Sequence, residues 1–246
     1  MLHPADPLIA VGLLTRLPVR VHAGRAQARG ARASWAYPLP GLLVGTLGAG
    51  AQAGALWLGL GPGLAAGLAL VVLIMVTGAL HEDGLADCAD GFWGGWTREK
   101  RLQIMHDSRI GTYGVLALGL ALLLRWQSMV ELSASWTALP VAAVLSRAAM
   151  TAVWAALPPA RADGLAQGLG RPSAAPALIA SGIAIGLAAI LAGPGAACAA
   201  TLAAGLGATA VGLVARARIG GQSGDVMGAA QQVSEIFCLL SLTLWA

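Results

Sequence analysis

Charge is what this chain has least of. Only 11% of its 246 residues are charged, against 57% apolar, and the mean hydropathy is +0.75. An ordinary soluble domain carries about 25% charged residues, so a water-soluble globule is excluded. Apolar runs of roughly 18 residues or more read instead as membrane spans. The strict alternation of apolar and polar residues that a membrane β-barrel requires is also missing. Cysteine is scarce, with Cys88, Cys198 and Cys238 scattered and odd in number. That excludes a disulfide framework and a zinc site, and leaves small buried residues. The N-terminus lacks the layout of a cleaved signal peptide. What remains is an all-α, polytopic membrane bundle, and its 34 glycines suit the close approach of membrane helices.

Seven apolar segments can be drawn, at about 38–60, 62–80, 112–130, 137–157, 176–192, 197–214 and 233–246. The GPG around Pro62 joins the first two into a hairpin, and Pro and Gly punctuate the later ends. The semi-apolar PLIAVGLLTRLPV near the start is interrupted by Arg16 and is short for a span. It reads as an interfacial or re-entrant helix. The expected architecture is about six to seven transmembrane helices plus that N-terminal helix, in a single domain over residues 1–246.

Lys and Arg alternate between the connections. Residues 1–37 hold five, 81–111 four, 158–175 two and 215–232 two, while the intervening links hold none. Only Arg125 and Arg147 fall inside the drawn spans. By the positive-inside rule the N-terminus and the long loops face the cytoplasm. The net charge of +4 is thus a matter of topology, and no nucleic-acid partner is implied. Six of the eleven acids lie in 81–111, and Asp6, Asp163 and Asp225 fall on the same side.

The stretch HEDGLADCADG, His81 to Gly91, puts Asp83, Asp87 and Asp90 at i, i+4 and i+7. On a helix these share one face, where like charges repel unless a cation sits among them. Mg²⁺ takes one or two carboxylates together with substrate phosphates, so the string suggests a metal–diphosphate site. Gly84 and Gly91 leave room for a phosphate or another helix. Glu82 and His81 extend the polar surface, His81 as a catalytic or merely interfacial residue. An acidic, solvated helix end is the plainer alternative. Trp93 and Trp96 suit a bilayer-surface belt, with base stacking as the alternative, and Arg98, Lys100 and Arg101 suit topology charges. In HDSRIGTYG, Asp107 is a further candidate ligand, and Ser108 and Arg109 are candidate phosphate donors ahead of a helix start. A simple cap for the third span is the alternative there. Near the C-terminus, Asp225 sits in a polar break before the last segment, with Gln222, Ser223 and Glu235 nearby.

These blocks carry a resemblance. HEDGLADCADG followed by REKRLQIMHDSRIGTYG resembles the bacterial cobalamin synthase family, the adenosylcobinamide-GDP ribazoletransferases. LLTRLPV, YPLPGLLVG and RIGGQSGDVMGAAQQVSE look like that family's other segments in the same order. The resemblance implies a Mg²⁺-dependent enzyme of the bacterial inner membrane with its active site on the cytoplasmic side. It implies that adenosylcobinamide-GDP is joined to α-ribazole or its 5′-phosphate, with release of GMP. On that reading Asp83, Asp87 and Asp90 are the first-choice metal ligands, with Asp107 and Glu82 next. Asp90 or Asp225 would take the alcohol proton, and Arg109, Ser108 and Lys100 would hold phosphate oxygens. Association of identical chains is compatible with it.

Two other readings compete. A CDP-alcohol phosphotransferase also uses spaced Asp and Gly at a membrane face, but its Ala-Arg pair after the first DG is absent from DGLADCADG. A transporter would place its acids near the midplane and show internal repeats, and neither feature is visible.

Overall fold

The computed structural model describes residues 2–161 and 169–245; Asp163 lies outside the described residues. Among them the chain is helical, with no β-strand. The helices are α1 (Asp6–Leu14), α2 (Ala23–Arg29), α3 (Pro38–Trp57), α4 (Pro62–Thr77), α5 (Leu80–Gly94) and α6 (Arg98–Ile104). They continue with α7 (Thr112–Glu131), α8 (Ala138–Ala156), α9 (Ala174–Ala192), α10 (Pro194–Ile219) and α11 (Gly224–Thr243), and a 3₁₀ helix covers Gly30–Ala36.

Six helices are long and apolar enough to cross a membrane: α3, α7, α8, α9, α10 and α11. The α4–α5 pair passes the same test only jointly, across an 88° bend. The protein is a polytopic helical bundle. Helix α8 is its axis: 83% of its span is buried, against 22% for α9, which turns most of its surface outward. Proline opens α3, α4 and α10, where its missing N–H costs nothing. Helices α3 and α8 touch backbone to backbone, since a Cβ on Gly45 would stand 2.6 Å from Pro140 Cα. Membrane helices associate through such small-residue contacts.

The structure moves three sequence boundaries. The last span is not 233–246 but all of Gly224–Thr243. Its first half is too polar to stand out as apolar, and the Gln231 and Gln232 it carries are buried against other helices, as are Ser234 and Glu235 just beyond. Similarly, α10 outruns 197–214 at both ends. The segment drawn as 62–80 stops at Thr77, where Gly78 (φ 64°) and Ala79 (φ 57°) turn the chain. Ala79 is the one non-glycine residue with positive φ among the described residues. A left-handed conformation there costs about 1–2 kcal/mol, which the docking of α5 must offset.

At nine residues, α1 is about 14 Å long and cannot cross a hydrocarbon core of about 30 Å. It is tied down by Asp6, which is fully buried. The Asp6 carboxylate accepts from Arg29 Nε and Nη2 at 2.8 Å and from Trp35 Nε1 at 2.7 Å.

The arginine-rich connections meet at one end of the bundle. Arg98 donates to the carbonyls of Ala160 and Ile219, Arg101 to those of Gly95 and Arg218, and Arg161 to that of Leu102. Residues expected to serve only as topology charges therefore stitch three connections together through main-chain oxygens.

Candidate active site

Helix α5 carries the acidic string as expected, but its carboxylates do not share one environment. Asp83 is exposed, Asp87 is half-buried, and Glu82 and Asp90 are buried. Each goes to a different place.

Glu82 turns inward. Its Oε1 lies 2.8 Å from Arg125 Nη1 of α7 and accepts from Gln232 Nε2 of α11 at 3.1 Å. Arg125 Nη2 also donates to Glu235 at 2.8 Å, and Arg147 Nη1 stands 3.8 Å from Glu235. Two arginines and two glutamates thus balance one another inside the bundle, with Gln231, Gln232 and Ser146 bonded among them. The expectation of Glu82 as a metal ligand is corrected: its charge is matched by Arg125.

Asp90 is engaged as well. Its two oxygens accept from Gly111 N at 2.7 Å and Gly114 N at 2.9 Å, so a residue of α5 caps the start of α7. The first turn of a helix leaves N–H groups without intrahelical partners, and a carboxylate there is favourable. A Cβ on either glycine would run into this carboxylate. The plain cap reading of HDSRIGTYG is corrected: none of its side chains caps α7, and the cap comes from Asp90, 21 residues before Gly111. Asp90 does not join Asp83 in this arrangement.

Asp83, Asp87 and Asp225 form the remaining acidic group. Gly84 allows it: a Cβ there would lie 2.7 Å from the carbonyl oxygen of Asp225, so α5 rests on the backbone where α11 begins. Asp225 is not in an unstructured break but in the first turn of α11. Ser223 caps that turn through Val226 N and donates to Asp225 Oδ2 at 3.1 Å. Helix α5 is not itself one of the six spans. Burial, then the charges of Asp225, Asp83 and Asp90, push the Asp87 carboxyl up to about 7. Such a group favours a proton or another cation in its midst.

Asp83 and Asp225 line a cavity of about 370 Å³. Its walls include Leu13, Tyr37, Met150, Trp154 and Met227, with His81, His106, Arg161 and Gln222 among them. Tyr37 and Trp154 stack with ring centroids 6.1 Å apart. Four lining residues carry a buried polar atom without a hydrogen-bond partner among the described residues: His81 Nε2, Trp154 Nε1, Arg161 Nε and Gln222 Oε1. Each such atom is costly unless something pairs with it.

The second half of the motif lies apart. Asp107 pairs with Arg109 at 2.7 Å on the surface, and the hydrogen bonds from Arg109 hold its carboxyl down to about 2. Both residues line an open groove with Asp90, Gly111 and Tyr113. Ser108 is exposed near them. Lys100 donates to Gln103 at 3.1 Å. Gly91 fits against Met105 and the Arg101 carbonyl of α6, so it admits a helix. Asp87 stands between the two groups, within electrostatic reach of Asp83, Asp225 and Asp90.

Trp154, Arg161 and Tyr37 escaped the sequence reading as site residues, and Gln222 entered it only as a neighbour of Asp225. Trp154 and Tyr37 look like ordinary span and span-edge aromatics. Only the fold brings them to the acids. Arg125 and Arg147 did carry a signal, since charges inside spans demand partners.

Does this donor set suit a divalent ion? Among the described residues no three His, Cys, Asp or Glu side chains converge as a finished metal cage. Asp83 and Asp87 nevertheless offer only oxygen, one turn apart, and the charge of Arg161 offsets their repulsion only in part. That fits a hard cation which keeps water and takes its remaining ligands from substrate phosphates.

A family model described as cobalamin-5-phosphate synthase matches residues 6–243. A protein of Bradyrhizobium diazoefficiens is 44% identical over 239 residues, covering 96% of this chain and 92% of its own. One from Mesorhizobium japonicum is 46% identical over 238 residues, covering 96% and 91%, and one from Ralstonia nicotianae 41% over 248 residues, covering 96% and 94%. All three bear the name adenosylcobinamide-GDP ribazoletransferase. No solved structure matches the chain.

Proposed function

This chain belongs to the cobalamin-5-phosphate synthase family, and from that premise we propose that it is an adenosylcobinamide-GDP ribazoletransferase of the bacterial inner membrane. It joins adenosylcobinamide-GDP to α-ribazole or its 5′-phosphate and releases GMP. The observation that carries the reading is the meeting of Asp83 and Asp225 on the wall of one cavity, with the Asp87 carboxyl beside them pushed up by burial and by their charges. The arginine-rich connections lie at that same end, which by the positive-inside rule faces the cytoplasm.

An alcohol oxygen of α-ribazole forms a bond to the phosphorus on the corrinoid arm, the bond from that phosphorus to GMP breaks, and the alcohol proton is taken up by a carboxylate. Asp225 is placed for the proton: it lines the cavity, and Ser223 fixes one of its oxygens. Asp90 is the weaker candidate, because both its oxygens already hold N–H groups. Asp83 and Asp87 would hold Mg²⁺, which when bound neutralises the diphosphate and the departing phosphate. Arg161, on the cavity wall, supplies positive charge to phosphate oxygens, His106 on the same wall offers a ring N–H donor, and Arg109 supplies positive charge from the neighbouring groove.

The purified protein in detergent or liposomes should release GMP from adenosylcobinamide-GDP only when α-ribazole and a divalent ion are present. Turnover in excess chelator would sink the metal assignment. Release of CMP from a CDP-alcohol would favour the other transferase reading.

A further inference from the structure

The substrates named above present three bulky parts to the protein: a corrin ring, a guanosine and a benzimidazole riboside. Only one of them suits the cavity beside Asp225. At about 370 Å³ it lies near the small end of ligand pockets, which run to roughly 1,000 Å³. A corrin with its side chains is several-fold too large. Guanine carries an exocyclic amine and a carbonyl on its pairing edge, and these need several polar partners. Much of the wall is instead Leu13, Met150, Met227 and the Tyr37–Trp154 stack, and of its four buried unpaired polar atoms only Gln222 Oε1 is an obligate acceptor for guanine's N–H donors.

We infer that this cavity is the α-ribazole pocket, and that Trp154 and Gln222 are its specificity-determining residues. The inference rests on the proposed transferase reading and assigns one substrate within it. A dimethylbenzimidazole is a flat, largely apolar bicycle with one free ring nitrogen. That nitrogen accepts and cannot donate, and the Trp154 indole N–H is a buried donor without a partner among the described residues. Pentose hydroxyls donate, and Gln222 Oε1 is a buried acceptor equally without one. The aromatic pair and the methionines suit the methylated ring. Asp83, exposed, and Asp225, partly buried, share the cavity wall with these groups, so a riboside seated with its base on Trp154 holds its hydroxyls toward Asp225, where the proton is to be taken. Polar atoms left unpaired in the empty pocket reject a base that cannot satisfy them, and this is where strong discrimination arises.

The test is equilibrium binding of radiolabelled α-ribazole and, separately, of adenosylcobinamide-GDP to the full chain in detergent, with steady-state kinetics alongside. Trp154→Phe keeps an aromatic ring and deletes the N–H. It should raise the dissociation constant and KM for α-ribazole about tenfold, the scale of one hydrogen bond, with kcat at saturation and corrinoid binding unchanged. Leu13→Trp fills the space without touching the acids, and should abolish α-ribazole binding while corrinoid binding persists. Persisting corrinoid binding also reports that the variant is folded. The assignment is overturned if Leu13→Trp binds α-ribazole like the parent, or if both ligands weaken together in Trp154→Phe. Failure of the unaltered protein to bind either ligand or to release GMP would instead overturn the transferase reading itself.

Discussion

Arg125 of α7 and Glu82 of α5 meet at 2.8 Å with both side chains buried. The neighbour of Glu82 in sequence, Asp83, is exposed and lines the cavity instead. One ion pair thereby fixes the rotation of the acid-bearing helix about its axis.

Removing the arginine should expose this dependence. Arg125→Met leaves Glu82 buried without its cation and Glu235 with only the more distant Arg147, an insult of about 3–5 kcal/mol. A large fall in the thermal midpoint in detergent is expected, with GMP release lost. Adding Glu82→Gln and Glu235→Gln to the same chain should recover part of the midpoint. No recovery would mean that the arginine acts through packing alone.

Asp90 and Asp87 sit three residues apart and should fail differently. Asp90→Ala strips the cap from α7, which costs about 0.5–2 kcal/mol and should appear first as lower stability. Asp87→Asn relieves repulsion, so its midpoint should hold or rise while turnover falls by about a hundredfold or more, the scale of lost electrostatic stabilisation. Equal behaviour of the two variants in both assays would contradict the split geometry.

Arg109 offers a cleaner probe of the groove. Its pair with Asp107 is on the surface, where ion pairs contribute little to stability. Arg109→Ala should leave the unfolding midpoint in place and raise the KM for adenosylcobinamide-GDP. A changed midpoint with an unchanged KM would remove Arg109 from substrate binding.

Acid should loosen the N-terminal helix. Burial alone would raise the Asp6 carboxyl, but hydrogen bonds from Arg29 and Trp35 outweigh it and hold the group below its ordinary value of 3.8. The unfolded chain therefore binds the proton more readily. The stabilisation is present above that value and is lost as pH falls below it. Asp6→Asn should be less stable than the parent at neutral pH, and the gap should close below about pH 4. Protease sensitivity around residues 15–35, followed against pH, measures it.

Most of the spans were legible because lipid-facing helices must be apolar along their length, and α3, α7 and α9 are. Helix α11 was legible only in its second half. Its polar residues face Arg125 and Arg147 rather than lipid, and hydropathy registers composition, not orientation. The helical spacing of Asp83, Asp87 and Asp90 correctly predicted a helix. It could not predict that Asp90 reaches the start of α7, because that depends on how two distant segments pack. The cavity was illegible for the same reason: Leu13, Tyr37 and Trp154 come from three parts of the chain, and none looks unusual in place.

The arginines at the basic end have a consequence for genetics. Arg98, Arg101 and Arg161 grip carbonyl oxygens of Gly95, Leu102, Ala160, Arg218 and Ile219, and every residue type supplies a carbonyl. A mutational scan should therefore find intolerance at the donors, with no matching requirement for side-chain identity at the acceptors arising from these bonds. Pairwise covariation, which reads one side chain against another, would be blind to the contacts that hold this end together.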